Sequence, residues 1–355
     1  MTAFLEARNV TKVFGHGEGA TVALADFSYA IREGTASITA VAGESGSGKS
    51  TLARLFLGFI HPTQGEVLYR GKDLRQLTRQ ERKDFRREVQ AIFQDPFGVY
   101  NPFYRVDHLL TTPVKTFKLA NSRADARRQI EAALATVGSN PDEILGRYPH
   151  QLSGGQRQRI TIARALLLKP RLIIADEPVS MVDASLRATI LESLLKLNRE
   201  FGISFLYITH DLTTAHQISE RLIILYQGIV AEAGAARRVI RQPQHPYTQL
   251  LIHSIPSPDP KQHWSDEGLV VPGEQVEAVE RQGCPFAPRC PHVMPICRDE
   301  VPPLYRSDGA AVACYLYREA PVVEGGDLTE VLSNLTSDRA GAASTEPRHA
   351  TGVSQ

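Results

Sequence analysis

The nine residues "GESGSGKST" at Gly43–Thr51 decide the fold expected for this chain. They fit the pattern G-x-x-x-x-G-K-[ST], in which glycines let consecutive backbone N–H groups curl around phosphate oxygens without a side-chain clash. The apolar run "SITAVAG" (Ser37–Gly43) precedes them and is typical of a buried strand, and the helical pattern "KSTLARLFLGF" (Lys49–Phe59) follows. A strand, a glycine loop and a helix in this order favour a phosphate-binding loop over a merely flexible Gly/Ser segment, because the helix N-terminus attracts anions.

The motif also gives its residues individual roles. Lys49 is expected to reach the β- and γ-phosphates of a nucleotide, and the hydroxyl of Ser50 is expected to bind Mg²⁺. The residues expected to contact ATP in this stretch are Gly43, Glu44, Ser45, Gly46, Ser47, Gly48, Lys49, Ser50 and Thr51.

Two further buried strands are predicted to end in polar residues, "RLIIADEP" (Arg171–Pro178) and "ISFLYITHD" (Ile203–Asp211). Open α/β sheets bind ligands at the carboxyl edge of their strands. We therefore expect Asp176 to hold Mg²⁺ through water and Glu177 to polarise the attacking water as general base, although solvated acids at a strand end are the alternative. A lone histidine is more often structural, but the position of His210 at the same edge favours a contact with the γ-phosphate.

Two motifs are not explained by these strands. Gln94 in "AIFQDP" ends another strand run, and its amide oxygen is a candidate ligand of Mg²⁺ or water, which the residues alone leave undecided. "LSGGQRQRI" (Leu152–Ile160) is a second Gly-Gly turn that opens a basic helix, so it has the pattern of another phosphate cradle. One nucleotide does not need two cradles from one chain.

In order, these motifs resemble those of the nucleotide-binding subunits of ABC transporters. The matching segments are "GESGSGKST" as Walker A, "FQDP" as Q-loop, "LSGGQRQR" as signature, "LIIADEP" as Walker B, "SMVD" as D-loop and "ITHD" as H-switch. The resemblance covers about residues 4–233. It implies an α/β P-loop ATPase with a mixed sheet core and a helical signature subdomain, with Phe14 in "TKVFG" stacked on adenine. The D-loop reads "SMVD" where "SALD" is commoner, and Asp183 is retained.

The resemblance also explains the second cradle. In this family two ATPase subunits pack head to tail, which implies that the signature residues serve the ATP bound to the partner. Those residues are Ser153, Gly154, Gly155 and Gln156. ATP then bridges two chains, and hydrolysis removes the bridge and lets the pair open.

Composition shifts divide the chain into three parts. Residues 1–255 are predicted to form the ATPase domain, with a helical subdomain at about 101–168 where strand signals are absent. "RQPQHPYTQLLIHSI" (Arg241–Ile255) is expected to contain a helix that is entered after its prolines, followed by the stiff linker "PSPDP" (Pro256–Pro260). Residues 256–318 form a small Pro- and Cys-rich module, and residues 319–355, which are poor in large apolar side chains, are expected to be a disordered tail.

Several segments resemble one subgroup, the importers of oligopeptides, dipeptides and nickel, some of which carry oligosaccharides. They are "QDPFGVYNP", "HPYTQLL" (His245–Leu251) and "GCPFAPRCPHVMPICRDEVPPL", with "VACYL" after them. This resemblance implies two membrane-spanning permease subunits, a second and distinct ATPase chain that makes a heterodimer, and an extracytoplasmic substrate-binding protein. It places the chain at the cytoplasmic face of the cell membrane as a peripheral subunit, in agreement with a start, "MTAFLEARNV", that lacks the apolar core of a signal peptide.

All four cysteines lie in the module: Cys284, Cys290, Cys297 and Cys314. Their spacings, C-x5-C, C-x6-C and C-x16-C, match neither a zinc ribbon nor a ferredoxin. Four thiolates suit a 4Fe–4S cluster or an all-thiolate zinc site, with reduced thiols or disulfides as the remaining alternatives. Some members of the subgroup hold a 4Fe–4S cluster at these positions, so the resemblance implies a cluster. His292 within the loop is interpreted as a surface residue.

Charge argues against a nucleic-acid partner. With 40 Lys and Arg against 39 Asp and Glu, the net charge is only +1. The basic stretch "RQERKDFRREVQ" (Arg79–Gln90) is interleaved with acids and is interpreted as a solvated helix. The alternative function is a soluble ABC ATPase that acts on DNA or ribosomes, but the chain has one cassette and no sustained heptads. A P-loop kinase would leave "LSGGQ" without a function.

Overall fold

A computed structural model describes residues 2–95, 98–255 and 282–333, except for the side chain of Glu18. The strands in these residues are β1 (Ala3–Phe14), β2 (Thr21–Arg32), β3 (Ile38–Ala42), β4 (Gln64–Tyr69), β5 (Lys72–Asp73), β6 (Val89–Ile92), β7 (Leu172–Asp176), β8 (Ser204–Thr209), β9 (Arg221–Tyr226), β10 (Ile229–Ala235), β11 (Tyr305–Ser307) and β12 (Ala310–Val312).

The helices of the described residues are numbered in chain order. They are α1 (Lys49–Phe56), α2 (Arg79–Glu88), α3 (Val106–Thr116), α4 (Arg123–Thr136), α5 (Pro141–Ile144), α6 (Gly154–Leu166), α7 (Ala184–Phe201), α8 (Leu212–Ile218), α9 (Ala236–Arg241), α10 (Pro246–His253), α11 (Ile296–Asp299) and α12 (Leu328–Ser333). Among the residues described, none of these helices combines the length and apolarity needed to cross a membrane.

The larger sheet is mixed and has the strand order β11-β12-β10-β9-β3-β8-β7-β6. Strands β6, β7, β8, β3 and β9 pair in parallel, and β10, β12 and β11 continue the sheet in antiparallel pairing. Every residue of β3 and of β8 is buried, as expected for strands covered by helices on both faces. The pairs Ala42 with Thr209, Asp176 with Ile208 and Ile92 with Ala175 bring the carboxyl ends of four strands to one edge.

A second, antiparallel sheet has the order β2-β1-β4-β5. Its inner side packs with α1 through residues such as Phe27, Tyr29, Leu52 and Phe56, which belong to one buried core. The sequence analysis predicts alternating strands and helices but does not identify this sheet. The buried residues of β2 do not alternate with exposed ones, so the usual period of two is obscured.

Residues 101–168 contain α3, α4, α5 and α6 and, within the described part, no strand. Ser122 begins α4 by accepting a hydrogen bond from the Asp125 N–H at 3.1 Å. Leu110, Leu134 and Ile160 place the apolar faces of α3, α4 and α6 in the same core as the larger sheet. The basic stretch at 79–90 becomes α2, with a Thr78–Glu81 capping box, and then enters β6.

The helix expected after the prolines of the stretch Arg241–Ile255 is present as α10, with Pro246 as its first residue, where the missing N–H of proline costs no helical hydrogen bond. A separate short helix, α9, ends at Arg241. The predicted linker Pro256–Pro260 lies outside the described residues, as does the remainder of 256–281.

The expected disordered tail also differs from the structure in its first part. Residues 319–333 are ordered and end in α12, where Leu328 and Leu332 are fully buried against the core around β2. Thr329 Oγ1 accepts the Ala30 N–H at 2.8 Å. Leu328, Val331 and Leu332 stand at helical spacing, a short apolar pattern that the low average hydrophobicity of the whole tail conceals. The tail from residue 334 onward lies outside the described part.

Candidate functional site

The glycine loop after β3 is shaped by two glycines at which a side chain would collide with the backbone of a neighbouring strand. Gly43 has φ +152°, and a Cβ there would lie 2.1 Å from the carbonyl oxygen of Leu225. Gly48 has φ +101°, and its Cβ would lie 2.3 Å from the carbonyl oxygen of Ala23. The loop therefore presses its backbone against neighbouring strands, which leaves its outer side open to a ligand.

Lys49, the first residue of α1, folds into this loop. Its Nζ donates to the carbonyl oxygens of Gly43 at 2.8 Å and Glu44 at 2.7 Å. Burial lowers the pKa of Lys49, and the nearby carboxylates of Glu177 and Asp176 oppose that shift. The ammonium thus lies between the loop and the acids that end β7.

Two of the predicted Mg²⁺ ligands lie together. Burial raises the pKa of Asp176, while a hydrogen bond from Ser50 acts in the opposite direction. A hydroxyl and a carboxylate are oxygen donors of the kind that Mg²⁺ prefers. The third predicted ligand, Gln94, is turned by its amide nitrogen toward Glu177, so its part in metal binding stays a prediction.

The structure brings the three predicted catalytic side chains into one cluster. Gln94 Nε2 donates to Glu177 Oε2 at 2.9 Å, and His210 Nδ1 lies 2.8 Å from Glu177 Oε1. An ionised carboxylate only accepts, so a hydrogen bond from His210 to ionised Glu177 would use a proton on Nδ1. Glu177 has φ +46° and donates its N–H to the Ile208 carbonyl at 2.9 Å, so a left-handed backbone turns its side chain between the other two.

The signature residues form the N-terminus of α6. Ser153 and Gln156 cap each other, with Ser153 Oγ accepting the Gln156 N–H at 3.2 Å and Gln156 Oε1 accepting the Ser153 N–H at 2.9 Å. A Cβ on Gly155 would lie 2.7 Å from Leu186 Cδ1, so this turn packs on the helix that follows the D-loop. Asp183 precedes α7, is exposed, and makes no side-chain capping bond.

Phe14 is the last residue of β1. Its ring is 41% exposed, and Lys12 Nζ lies 5.0 Å from the ring centroid. An exposed ring beside a cation has a free face, and the stacking of adenine on Phe14 stays a prediction.

The four cysteines line one small cavity, of about 10 Å³, together with His245 and Phe286. All four are free thiols. Burial raises the pKa of Cys284 and of Cys314 to about 11 each, and it raises the pKa of Cys290 as well. Backbone N–H groups two residues further on, those of Phe286, His292 and Leu316, donate to the sulfurs of these three cysteines.

No metal centre is confirmed in this cavity. Across residues 2–95, 98–255 and 282–333, no group of three or more His, Cys, Asp or Glu side chains is arranged to hold a metal ion. His245 does not supply a free nitrogen, because Nδ1 accepts the Tyr247 N–H at 3.0 Å and the ring donates to the carbonyl of Ala313. The interpretation of His292 as a surface residue agrees with its exposed side chain.

Sequence reasoning missed one connection to the ATP loop. Arg289, which lies between the first and the second cysteine, forms a two-pronged ion pair with Glu44. The two residues are 245 positions apart, and no motif pairs them. Only the alternation of Cys and Pro around residue 289 indicated that this segment has a fixed shape.

Comparison with known families agrees with this geometry. The ABC transporter family model matches residues 24–180, and the family model for the C-terminal region of oligopeptide/dipeptide transporters matches residues 231–297. The second match begins within β10 and includes three of the four cysteines.

Individual relatives extend the likeness over most of the chain. The oligopeptide transport ATP-binding protein YkfD of Bacillus subtilis, itself a provisional assignment, is 41% identical over 323 residues, which cover 90% of this chain and 97% of that protein. The oligopeptide transport ATP-binding protein OppF of Salmonella typhimurium is 41% identical over 275 residues, 77% of this chain and 82% of that protein.

Solved structures show the same fold. A dimeric ATP-binding cassette, MJ0796, bound to ADP and Pi in a post-hydrolysis state, is 31% identical, with a TM-score of 0.57 over 66% of this chain and 99% of that one. With the motifs clustered at one sheet edge and these relatives matched nearly end to end, the chain belongs to the ATP-binding subunits of ABC transporters, in the oligopeptide/dipeptide branch, and is an ATPase coupled to transport.

Proposed function

We propose that the chain binds Mg–ATP at Gly43–Thr51 and uses its hydrolysis to energise the import of peptides or related solutes. The observation that carries the proposal is the position of Glu177, held at the sheet edge between Gln94 and His210. The carboxylate is fixed by both neighbours and is only partly exposed, which suits a base that must meet one water in one orientation.

In this account each residue has a task. Lys49 and the loop N–H groups bind the phosphates, Phe14 stacks on adenine, and Ser50, Asp176 and Gln94 Oε1 hold Mg²⁺. When bound, Mg²⁺ neutralises the charge that develops on the phosphate oxygens. Glu177 accepts the proton of the attacking water. His210 orients Glu177 and also contacts the γ-phosphate.

The signature acts on a second chain. The α6 N-terminus offers backbone N–H groups and a positive dipole end, and Asp183 stands exposed nearby, so this face suits the γ-phosphate of ATP bound to a partner subunit. The related cassette MJ0796 is dimeric. We propose a head-to-tail pair, a heterodimer with a related ATPase chain.

The transporter is completed by other subunits. The relatives are named as oligopeptide transport ATP-binding proteins, which supports peptides, or similar solutes such as oligosaccharides or nickel complexes, as the cargo. Two permease subunits would anchor the chain to the cytoplasmic face of the membrane, and an extracytoplasmic binding protein would deliver the solute. A soluble ABC ATPase that acts on DNA or ribosomes is not favoured by these relatives.

We further propose that the four thiols bind a 4Fe–4S cluster. Backbone N–H groups that donate to three of the sulfurs favour the thiolates that a cluster needs, although burial acts in the opposite direction and outweighs them while the site is empty. One zinc ion would need four sulfurs about 2.3 Å from a single point, whereas a cluster takes each thiolate on a separate iron. All four cysteines line one cavity, as a cluster on four thiolates requires, and the cavity of about 10 Å³ must widen to admit it.

Protein purified without oxygen tests the cluster. Iron and acid-labile sulfide near four per chain, with a brown colour that Cys297→Ser removes, would support it. Colourless protein with one zinc per chain, or with no metal after reconstitution with iron and sulfide, would overturn it.

Co-expression with the permeases and the binding protein of its operon tests the transport function. We expect the chain to copurify with them in detergent and to hydrolyse ATP faster when the loaded binding protein is added. Failure to associate with any permease, together with an ATPase activity stimulated by DNA or ribosomes, would contradict the proposal.

A further inference from the structure

The thiol-bearing module touches the glycine loop directly, through Arg289 and Glu44. Arg289 Nη1 donates to Glu44 Oε2 at 3.0 Å, and Nη2 donates to Oε1 at 3.2 Å. The guanidinium also lies 5.9 Å from the ring centroid of Tyr226 and 5.7 Å from that of Phe286. The planar guanidinium group donates to both carboxylate oxygens and lies beside two aromatic rings, which restricts it to one orientation. It therefore fixes the orientation of the Glu44 side chain and also neutralises its charge.

A second contact reaches the backbone of the same residue. The hydroxyl of Tyr247 accepts the Glu44 N–H at 2.8 Å. Tyr247 is fully buried, and its ring centroid lies 4.4 Å from that of Tyr226 and 5.6 Å from that of Phe286. The hydroxyl is therefore held by packing, and Glu44 is tied to it at the point where β3 gives way to the loop.

The other side of Glu44 is tied to Lys49, whose Nζ donates to the Glu44 carbonyl oxygen at 2.7 Å. One residue thus receives three restraints: Tyr247 at its N–H, Lys49 at its C=O and Arg289 at its carboxylate. If Glu44 moves, its carbonyl oxygen moves with it, and this oxygen accepts a hydrogen bond from Lys49, the residue proposed to bind phosphate.

We propose that Tyr247 of α10 and Arg289 of the C-terminal module are positioning residues that hold the start of the phosphate loop in its ATP-binding shape, so that the module, through Arg289, affects the affinity of the ATP site. Neither side chain touches the nucleotide in this account. The inference rests on the proposed binding of ATP at Gly43–Thr51, and it adds a reason why this chain carries a folded module behind its ATPase core.

The geometry separates an effect on affinity from an effect on stability. The Glu44 side chain is 41% exposed and that of Arg289 is 25% exposed, and ion pairs in water contribute little to the free energy of unfolding. The loop, by contrast, needs a defined shape to present several N–H groups at once, so loss of a restraint weakens binding before it weakens the fold.

The test uses the full chain and compares Arg289→Met, Arg289→Lys and Tyr247→Phe with Arg306→Met. Arg306 belongs to the same module and pairs with Glu330 at 3.6 Å, on the edge strand β11 away from the loop. The measurements are the Kd of a fluorescent ATP analogue, KM and kcat for ATP hydrolysis, and Tm.

We expect Arg289→Met and Tyr247→Phe to raise Kd and KM by about three- to tenfold, the scale of one or two lost hydrogen bonds, with kcat within about twofold. Arg289→Lys, which keeps the charge but not the fork, should fall between Arg289→Met and the unchanged protein. Arg306→Met should leave all values unchanged. A Glu44→Gln/Arg289→Met double variant should be no weaker than the worse single variant, because both changes break one contact.

The outcomes separate the inference from the proposed function. If Lys49→Ala abolishes binding while Arg289→Met and Tyr247→Phe bind with unchanged Kd, the positioning role is wrong and the ATP site stands. If Lys49→Ala binds ATP normally, the proposed site itself is wrong. Should Arg289→Met fail to fold, Arg289→Lys and Tyr247→Phe give the same decision, and additive effects in the double variant would also overturn the inference.

Discussion

His210 Nδ1 lies 2.8 Å from Glu177 Oε1, although the two residues end different strands. The contact exists because β7 and β8 are parallel neighbours, with Asp176 opposite Ile208. The carboxylate is thereby held in place by the strand beside it, and Gln94 holds its second oxygen from β6 on the other side. Three separate stretches of sequence thus build the site of the proposed proton acceptor.

Glu177→Gln tests this proton acceptor. The amide cannot accept the proton of the attacking water, so we expect kcat for ATP hydrolysis to fall by about 10²- to 10⁴-fold, while the Kd for ATP changes little. Steady-state ATPase assays and analogue binding give the two values. Glu192→Gln, on the exposed side of α7, is the control and should be unaffected. An undiminished kcat for Glu177→Gln would remove the role assigned to it.

We expect Gly43→Ala to lower the free energy of unfolding by more than Gly46→Ala does, although both glycines lie in the same loop. Gly43→Ala places a Cβ 2.1 Å from a strand carbonyl oxygen, whereas Gly46, with φ +79°, has open space around its Cβ position. Gly46→Ala should cost about 1 kcal/mol of backbone strain, and Gly43→Ala should cost about 1–3 kcal/mol more because the backbone must shift. Urea denaturation of both variants measures the difference. Equal stabilities would show that the loop is not pressed against β9 as described.

Because His245 is buried, we expect it to make the free energy of unfolding decrease as the pH falls. Burial lowers its pKa from 6.5 to about 4, so the folded protein keeps it neutral while the unfolded chain takes up a proton as pH falls through 6.5. Its contribution is fully present above pH 6.5 and is lost progressively down to about pH 4.

His245→Asn isolates this term, because asparagine keeps an acceptor at the start of α10 without titrating. The free energy of unfolding of the unchanged protein should drop, relative to the variant, by about 2 kcal/mol between pH 7 and pH 5. The raised pKa of the neighbouring Glu232 affects both proteins and cancels in the difference. If the free energies of unfolding of the two proteins changed equally between pH 7 and pH 5, His245 would have to be protonated in the folded state.

The ordered part of the tail predicts a stability contribution from its helix. Leu332→Ala removes a fully buried side chain of α12 and should cost about 2–5 kcal/mol. Glu330→Ala, whose side chain is 76% exposed, should change stability by less than about 0.5 kcal/mol. Thermal unfolding of both variants decides the matter: if Leu332→Ala were as stable as Glu330→Ala, α12 would not pack on β2.

The ATP site was largely predictable from the sequence, because its chemistry lies at strand ends and parallel strands bring their ends together. Gly43, Gln94, Glu177 and His210 could be placed at one edge before any coordinates. The signature was recognisable as a turn that opens a helix, and the structure has a capping box of Ser153 and Gln156 there.

Features that depend on distant pairs were not predictable. The Arg289–Glu44 ion pair and the bond from Thr329 to Ala30 each join residues more than 240 positions apart, and no local period reports them. The second sheet was missed because β2 lacks alternation, and α12 because three apolar residues are a weak signal in a polar tail.

The central claim is that ATP joins two chains, with Lys49 of one facing Ser153 of the other. Glu177→Gln protein, mixed with its companion ATPase subunit, gives the most direct test by light scattering after size exclusion with and without Mg–ATP. We expect a dimer mass only when ATP is present, and a return to monomers when Ser153→Arg blocks the signature. Monomers at saturating ATP, or a dimer that ignores Ser153→Arg, would contradict the account.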